Sequence, residues 1–445
     1  MKKIILKFLL IIILTLIASC NSSDEIIKSN PYIGDVILST QQEVNDFGAK
    51  NYTEILGSLI ISELNHEYGI KDLKSLGNLS IIEGDFIIKN NVNLVNLSGL
   101  DNITTIQGSL NIEGNEILTN LLGLEKVTLI QGNLNVIKNK WLQGLYGLDN
   151  INSIGGTINI YKNINLTELI ALNNISSIGG GFIVSDNYKL TSLPIFKKIT
   201  SINGHLTITS NPKLITLSGL NNLTTIEDDL KITLNRNLTN VSGLNNIISI
   251  GGSLFFEDNN KITNLPKFDK ISLIKGHLSI SRNANLVNLS GLENVTIIEK
   301  NINIYQNKSL TDLSGLEGLT TIKQSFKITH NENLTNLSGL ENLTSISNDL
   351  FIKKNNSLNS LTALKNLNKT SFVVILENGY ALTNLSGLEN LTSSVQRINI
   401  HLNEGLINFC SIQSLLKNNP LISLAITNNR HNPSLEDIIN GNCSK

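Results

Sequence analysis

Apolar residues recur at fixed intervals along most of the chain. In the stretch from Gly276 they fall at Leu278, Ile280, Leu286, Leu289, Leu292, Val295 and Ile298, with Asn283 between the second and third. Leu278 and Ile280 alternate with Ser279, the period of a strand with one buried face. The positions that follow are spaced by three. An α-helix buries i, i+3, i+4 and i+7, so an unbroken spacing of three drifts around its surface. The Gly of the recurring Ser-Gly-Leu would add about 1 kcal/mol of cost in a helix interior. Short strands joined by corners account for the spacing better.

The whole frame returns every 24 residues: "NLTNLSGLENLTSI" at 333–346 is "NLVNLSGLENVTII" at 285–298. Counted from Gly84, equivalent positions are Gly108, Gly132, Gly156, Gly180, Gly204, Asp228, Gly252, Gly276, Lys300, Gln324, Asn348 and Phe372, with no insertion or deletion. A less regular turn precedes at Gly57, and another follows from Arg397 after a one-residue slip. A period of this length predicts an all-β solenoid over residues 57–408, with about 14 coils stacked in parallel about 4.8 Å apart into a rod of about 65 to 70 Å. One coil alone cannot bury its apolar face; a stack can.

The most regular polar slot holds Asn91, Asn115, Asn139, Asn163, Asn187, Asn211, Asn235, Asn259, Asn283, Asn307, Asn331 and Asn355. Asn tolerates left-handed backbone, and its amide both donates and accepts. The column is therefore expected to line one corner and satisfy peptide groups from coil to coil, a structural ladder in preference to a ligand site.

With these columns in view, "LTSISNDLFIKKNNSL" at 343–358 and the repeated "LSGLENLT" resemble the receptor L-domain family over about residues 57–408. The resemblance implies a right-handed parallel β-helix related to leucine-rich repeats. That family includes the ligand-binding lobes of insulin and growth-factor receptors and many bacterial surface proteins. This chain has many more tandem coils, no cysteine-rich modules between lobes and no kinase, so the implied hormone binding does not carry over.

Both ends of a solenoid need caps, because its last coils expose apolar columns and strand edges. Residues 34–56 offer a strand at Val36 to Leu38 and a short helix, with Thr40 and Glu43 at capping-box spacing and Gly48 as a stop. After Asn408 the frame dissolves into a C-terminal cap, 409–445, with helical pieces near Ser411 to Lys417 and Ser434 to Ile439. Cys410 and Cys443 both lie in it, either as two buried thiols or, in an oxidising envelope, as a disulfide closing a loop of about 30 residues.

The N-terminus speaks to address. Lys2 and Lys3, the apolar run Phe8 to Ile17 and the sequence Ile17-Ala18-Ser19-Cys20 resemble a bacterial lipoprotein signal, 1–19, cut before a lipid-carrying Cys20. The run is short of the roughly 20 residues of a spanning helix. Residues 20–33 read as a flexible tether, and its acidic pair Asp24-Glu25 resembles the surface-export signals of Bacteroidetes lipoproteins. These resemblances imply a lipid-anchored protein of the bacterial outer membrane and favour its outer face over the periplasmic one. A formal charge of −1 and a charged fraction of 16% give no electrostatic case for nucleic acid.

Catalytic chemistry leaves little trace. Asp228-Asp229 and Glu257-Asp258 occupy different slots of adjacent coils, and His205 and His277 share a slot but stand three coils apart, too far for one metal. No cofactor or metal motif stands out. Threonine columns, as at Thr104-Thr105, Thr224-Thr225 and Thr320-Thr321, could serve ice binding, yet Asn152, Ile248, Val287 and Asn359 interrupt them and Thr is a good strand residue in any case. Trp141, Tyr146, Tyr161 and Tyr188 form the best candidate binding patch, with packing at a corner as the alternative. Two coils, "SLPIFKKITSI" and "NLPKFDKISLI", carry Pro194 and Pro266 and depart from the frame. The expectation is a non-catalytic scaffold that binds an undetermined protein or glycan. A polysaccharide-acting β-helix enzyme and an ice-binding solenoid are the alternatives.

Overall fold

The structure, a computed structural model, describes residues 29–63, 69–392 and 394–445. The signal segment, Cys20 and most of the tether lie outside the described residues.

Each coil contributes one strand of about four residues to a main sheet of seventeen strands, all parallel, running from Val36–Leu38 to Ser423–Thr427. The ladder is open. Sixteen steps of about 4.8 Å set its first and last strands about 77 Å apart, too far to pair with each other. Register keeps the repeat in phase: Leu230, Leu254, Leu278, Ile302 and Phe326 are successive partners. Within a strand such as Leu110–Glu113, Leu110 and Ile112 are buried while Asn111 and Glu113 look outward. The spacing-of-three residues also turn inward, and Leu286, Leu289, Leu292, Val295 and Ile298 are each 0% exposed. The core is therefore one continuous column.

A minor sheet forms where each coil returns, from two-residue strands such as Thr321–Ile322. It is broken into runs of seven, three and four strands. The breaks fall at the two coils holding Pro194 and Pro266. Gly179 N–H donates to Ile154 C=O and Glu227 N–H to Ile202 C=O, but the strands Ser177–Ile178 and Ser201–Ile202 between them do not pair. Buried Phe196 and Phe268 take slots that hold Leu in neighbouring coils, and Phe196 packs edge-on against Phe182 at 5.1 Å. The larger rings coincide with the loss of pairing on that side.

One local rule was hidden in the Ser-Gly-Leu turn. Where an acid lies two residues after the glycine, its carboxylate accepts from the glycine N–H and the glycine adopts positive φ, as at Gly315 with Glu317 (φ 108°, 2.8 Å) and Gly339 with Glu341 (φ 105°, 2.8 Å). Where Asn takes the acid's place, as after Gly219 and Gly243, the turn closes as a 3-10 helix without positive φ. Glu341→Asn is therefore expected to convert its turn to the 3-10 form at a cost of about 1 kcal/mol, the value of a partly exposed charge-assisted bond. A crystal structure in which Gly339 keeps positive φ would contradict this.

The asparagine column is wholly buried, each member 0% exposed. Asn283 is typical: its Oδ1 accepts from Asn259 N–H at 3.1 Å, and its Nδ2 donates to Phe256 C=O at 2.8 Å and to Asn307 Oδ1 at 3.4 Å. The left-handed residue at this corner is the one before the asparagine. Lys138, Asp186, Leu234 and Arg282 hold φ of 53–59° there, each at about 1–2 kcal/mol of strain for an L-residue. The amide ladder thus clamps a strained corner instead of occupying it, and it continues through Asn378, Asn403 and Asn429 to end on Asn432. A second, exposed asparagine row donates to carbonyls one coil back, as Asn342 does to Glu317 and Asn366 to Glu341.

At the N-terminal end the helix α1, Gln41–Gly48, starts with the Thr40/Glu43 capping box and places Phe47 in a cluster with Tyr32 and Tyr52. In the C-terminal cap, helices α2 (Gln413–Asn418) and α3 (Leu435–Ile439) flank the last main-sheet strand, and Cys410 is joined to Cys443, with Cα atoms 5.0 Å apart.

Candidate functional site

The frame is not continuous to its end. Asp349 pairs with Phe372, a step of 23 residues, so the expected alignment of Phe372 with the Gly84 series is off by one. The missing residue lies between Thr370 and Val373, on the way into the strand. It is regained at the next corner: Asn355 to Leu358 is three residues, but Asn378 to Leu382 is four, through "NGYAL". The ladder records both changes, with Asn355 bonded to Asn378 across 23 residues and Asn378 to Asn403 across 25.

The extra residue has to bulge outward, because the Asn and Leu on either side are fixed in the interior. Gly379 takes φ +67°, which glycine accepts freely, and Tyr380 is thrown out to 71% exposure. Beside it opens a concavity of about 790 Å³ walled by Asn356, Ser357, Glu377, Leu402 and Glu404. Two other hollows on the same half of the rod hold about 330 and 290 Å³. Size and the break in periodicity together make the Tyr380 corner the leading candidate.

Its charges are largely paired. Lys353 and Lys354 reach Glu377 at 3.0 and 3.3 Å, and the Lys353 bond holds the Glu377 carboxyl below the usual carboxylate range. The Glu404 carboxylate near the Tyr380 hydroxyl raises the phenol above the ordinary tyrosine value, with Arg430 acting in the opposite sense.

Further along the same corner, Arg282 grips Asp258 at 2.7 Å and Glu257 at 3.6 Å and lies over the Tyr305 ring, which in turn packs edge-on against His330 at 5.3 Å. His330 Nδ1 is buried without a hydrogen-bond partner. Burial, helped by Lys354 and Lys353, pushes its pKa below the ordinary histidine value, with Glu377 opposing. A lowered histidine pKa means the unfolded chain takes up the proton more readily. Its contribution to stability is full above about pH 6.5 and is lost as pH falls below that value. His330→Gln is accordingly expected to flatten Tm between pH 7 and 5, and an unchanged slope would contradict the assignment.

The aromatic residues singled out in the sequence are spread over more than one face. Trp141 and Tyr188, both about half exposed, stand at the asparagine corner two coils apart, and Tyr161 ends the neighbouring strand Ile158–Tyr161. Tyr146 lies further round, bonded to Glu168, in a row with exposed Leu122 and Ile170 where other coils have Ser98, Ser218 and Ser242. Glu257 and Asp258 are held by Arg282, while Asp229 accepts from Ser253 N–H at 2.6 Å and Asp228 meets His205 at 3.5 Å. Among the described residues no group of three or more His, Cys, Asp or Glu is placed to hold a metal ion.

Residues 126–214 and 248–334 match the family described as Receptor L domain. No curated protein sequence matches the chain. Among solved structures, an internalin (inlF) from Listeria monocytogenes aligns over 89% of this chain and 84% of its own, with 15% identity and a TM-score of 0.29.

Proposed function

From a chain in which two segments match the receptor L-domain family, we propose a non-catalytic binding scaffold, anchored by lipid on Cys20 to the bacterial outer membrane and displayed outward, that holds a protein or glycan against its outer surface. One observation carries this reading: the periodic core and the asparagine ladder fill the interior from end to end, so recognition is left to outward side chains. A rod about 77 Å long also lifts such side chains clear of a membrane.

Two carboxylates, Glu377 and Glu404, share the Tyr380 concavity, which gives the polysaccharide-acting enzyme its best footing. Against it, Glu377 is tied to two lysines. General acid catalysis would need one carboxyl raised toward neutrality, whereas Glu377 is lowered. Ice binding is disfavoured by the threonine hydroxyls, which donate to backbone carbonyls one coil back, as Thr104 does to Ser80, Thr224 to Thr200 and Thr320 to Thr296.

The address is tested on intact cells. Added protease is expected to degrade the repeat region, and Cys20→Ala to move the protein from the membrane to the soluble fraction. Full protection from protease would contradict outward display.

A further inference from the structure

We propose that the Tyr380 corner is a binding site for a neutral polysaccharide chain, a reading that rests on the scaffold function and specifies its ligand. Three features of the site define the ligand. The first is an apolar platform: the Tyr380 ring at 71% exposure and Leu402 at 39% stand on adjacent coils and offer a flat surface to the C–H face of a sugar ring. The second is a rim of groups suited to hydroxyls, with the Glu404 carboxylate beside the ring and Asn356 and Ser357 one coil back. A carboxylate accepts from paired hydroxyls, and an amide or hydroxyl both donates and accepts. The third is charge. Lys353 and Lys354 are both engaged with Glu377, and Arg430 acts on Tyr380 opposite Glu404, so three cations meet two carboxylates and the net formal charge is only +1. Such a site exerts little net pull on a polyanion or a polycation.

Shape narrows the choice further. The concavity holds about 790 Å³ yet is a corner hollow and not an enclosed chamber, so it suits a few residues of a chain passing across it. A peptide would be expected to add to a free strand edge, but the strands here, Asp349–Lys353, Phe372–Leu376 and Arg397–His401, are paired on both sides. The bulge itself supports the assignment. The inserted residue carries Tyr380 to 71% exposure, further out than Trp141 at 49% or Tyr188 at 48% in coils of regular length.

The test is affinity electrophoresis of the full mature chain, Cys20 replaced, through gels containing soluble β-glucan, mannan, xylan or dextran, with polygalacturonate as an anionic comparison. At least one neutral polymer is expected to retard the protein. Tyr380→Ala should weaken that retardation at least tenfold, Glu404→Gln several-fold, and Tyr380→Phe less than Tyr380→Ala because the ring remains. Tyr188→Ala, at the same corner far along the rod, should stay within twofold of the unaltered protein. Unchanged binding in Tyr380→Ala would overturn this site while leaving the scaffold intact. Retardation by polygalacturonate alone, retention of a protein ligand at this corner in place of polysaccharide, or no retardation by any polymer would also overturn it. Cleavage of a polymer would instead overturn the non-catalytic reading on which the proposal rests. Because Tyr380 is so exposed, unaltered thermal unfolding of Tyr380→Ala is expected and serves as the folding control.

Discussion

Asn283→Leu is expected to destabilise the protein by about 3 to 5 kcal/mol, although the substitution keeps the number and branching of the side-chain heavy atoms. Leucine leaves Asn259 N–H buried without its acceptor, removes the Asn283 Nδ2 donor from Phe256 C=O and crowds a closed site, and a buried group deprived of its bond costs about 1–3 kcal/mol. The strain at Arg282, φ 53°, would also lose its clamp. Equilibrium urea unfolding measures the effect. Asn294→Ala makes the comparison sharp: its Nδ2 bonds Asp269 C=O in the exposed row, where water replaces a lost partner, so its cost should stay below about 1 kcal/mol. Equal costs for the two would show that the buried ladder has no special energetic role.

Replacing Cys443 by serine is the second large effect, and it should be confined to one end. The disulfide spans a sequence separation of 33 residues, and closing such a loop is worth about 3 to 4 kcal/mol. Cys443 C=O also accepts from Phe409 N–H at 2.8 Å, which fastens the final segment to the last regular coil. In a solenoid each coil touches only its neighbours, so the loss should loosen the cap while the middle of the rod holds. Limited proteolysis is expected to nick the variant between 411 and 442 and to spare the repeat. Simultaneous digestion throughout would mean that the rod unfolds as one unit.

Much of this architecture was legible because each inward slot is repeated. A strand read from Leu278 and Ile280, and corners read from spacing by three, gain force when every coil gives the same answer. The alternative, a helix, would have to fail in the same way each time. What escaped the reading was local. The strand Ser423–Thr427 lies beyond the regular frame and is only partly buried, so its role as the last member of the main sheet was not visible. The left-handed residue of the corner was assigned to the asparagine because Asn tolerates that geometry well, yet the ladder puts the strain one residue earlier, on side chains as ill-suited as Leu234.

The candidate site was hidden for a related reason. Repetition draws attention to what is conserved within the chain, and the Tyr380 bulge is a departure: one residue lost before Val373 and one gained after Asn378 nearly cancel in the count. The signal was present in the Asn378 to Leu382 spacing. The aromatic residues chosen instead, Trp141, Tyr146, Tyr161 and Tyr188, were grouped by nearness in sequence, whereas in a coil of 24 residues the step of five from Trp141 to Tyr146 already leads to another face.

Small-angle X-ray scattering of the chain from residue 20, Cys20 replaced, tests the stacked-coil claim most directly. Sixteen steps of about 4.8 Å plus two caps predict a maximum dimension of about 90 Å. A compact globule of the same length, with a radius of gyration of about 22 Å, would reach only about 55 Å, and finding that value would contradict the account.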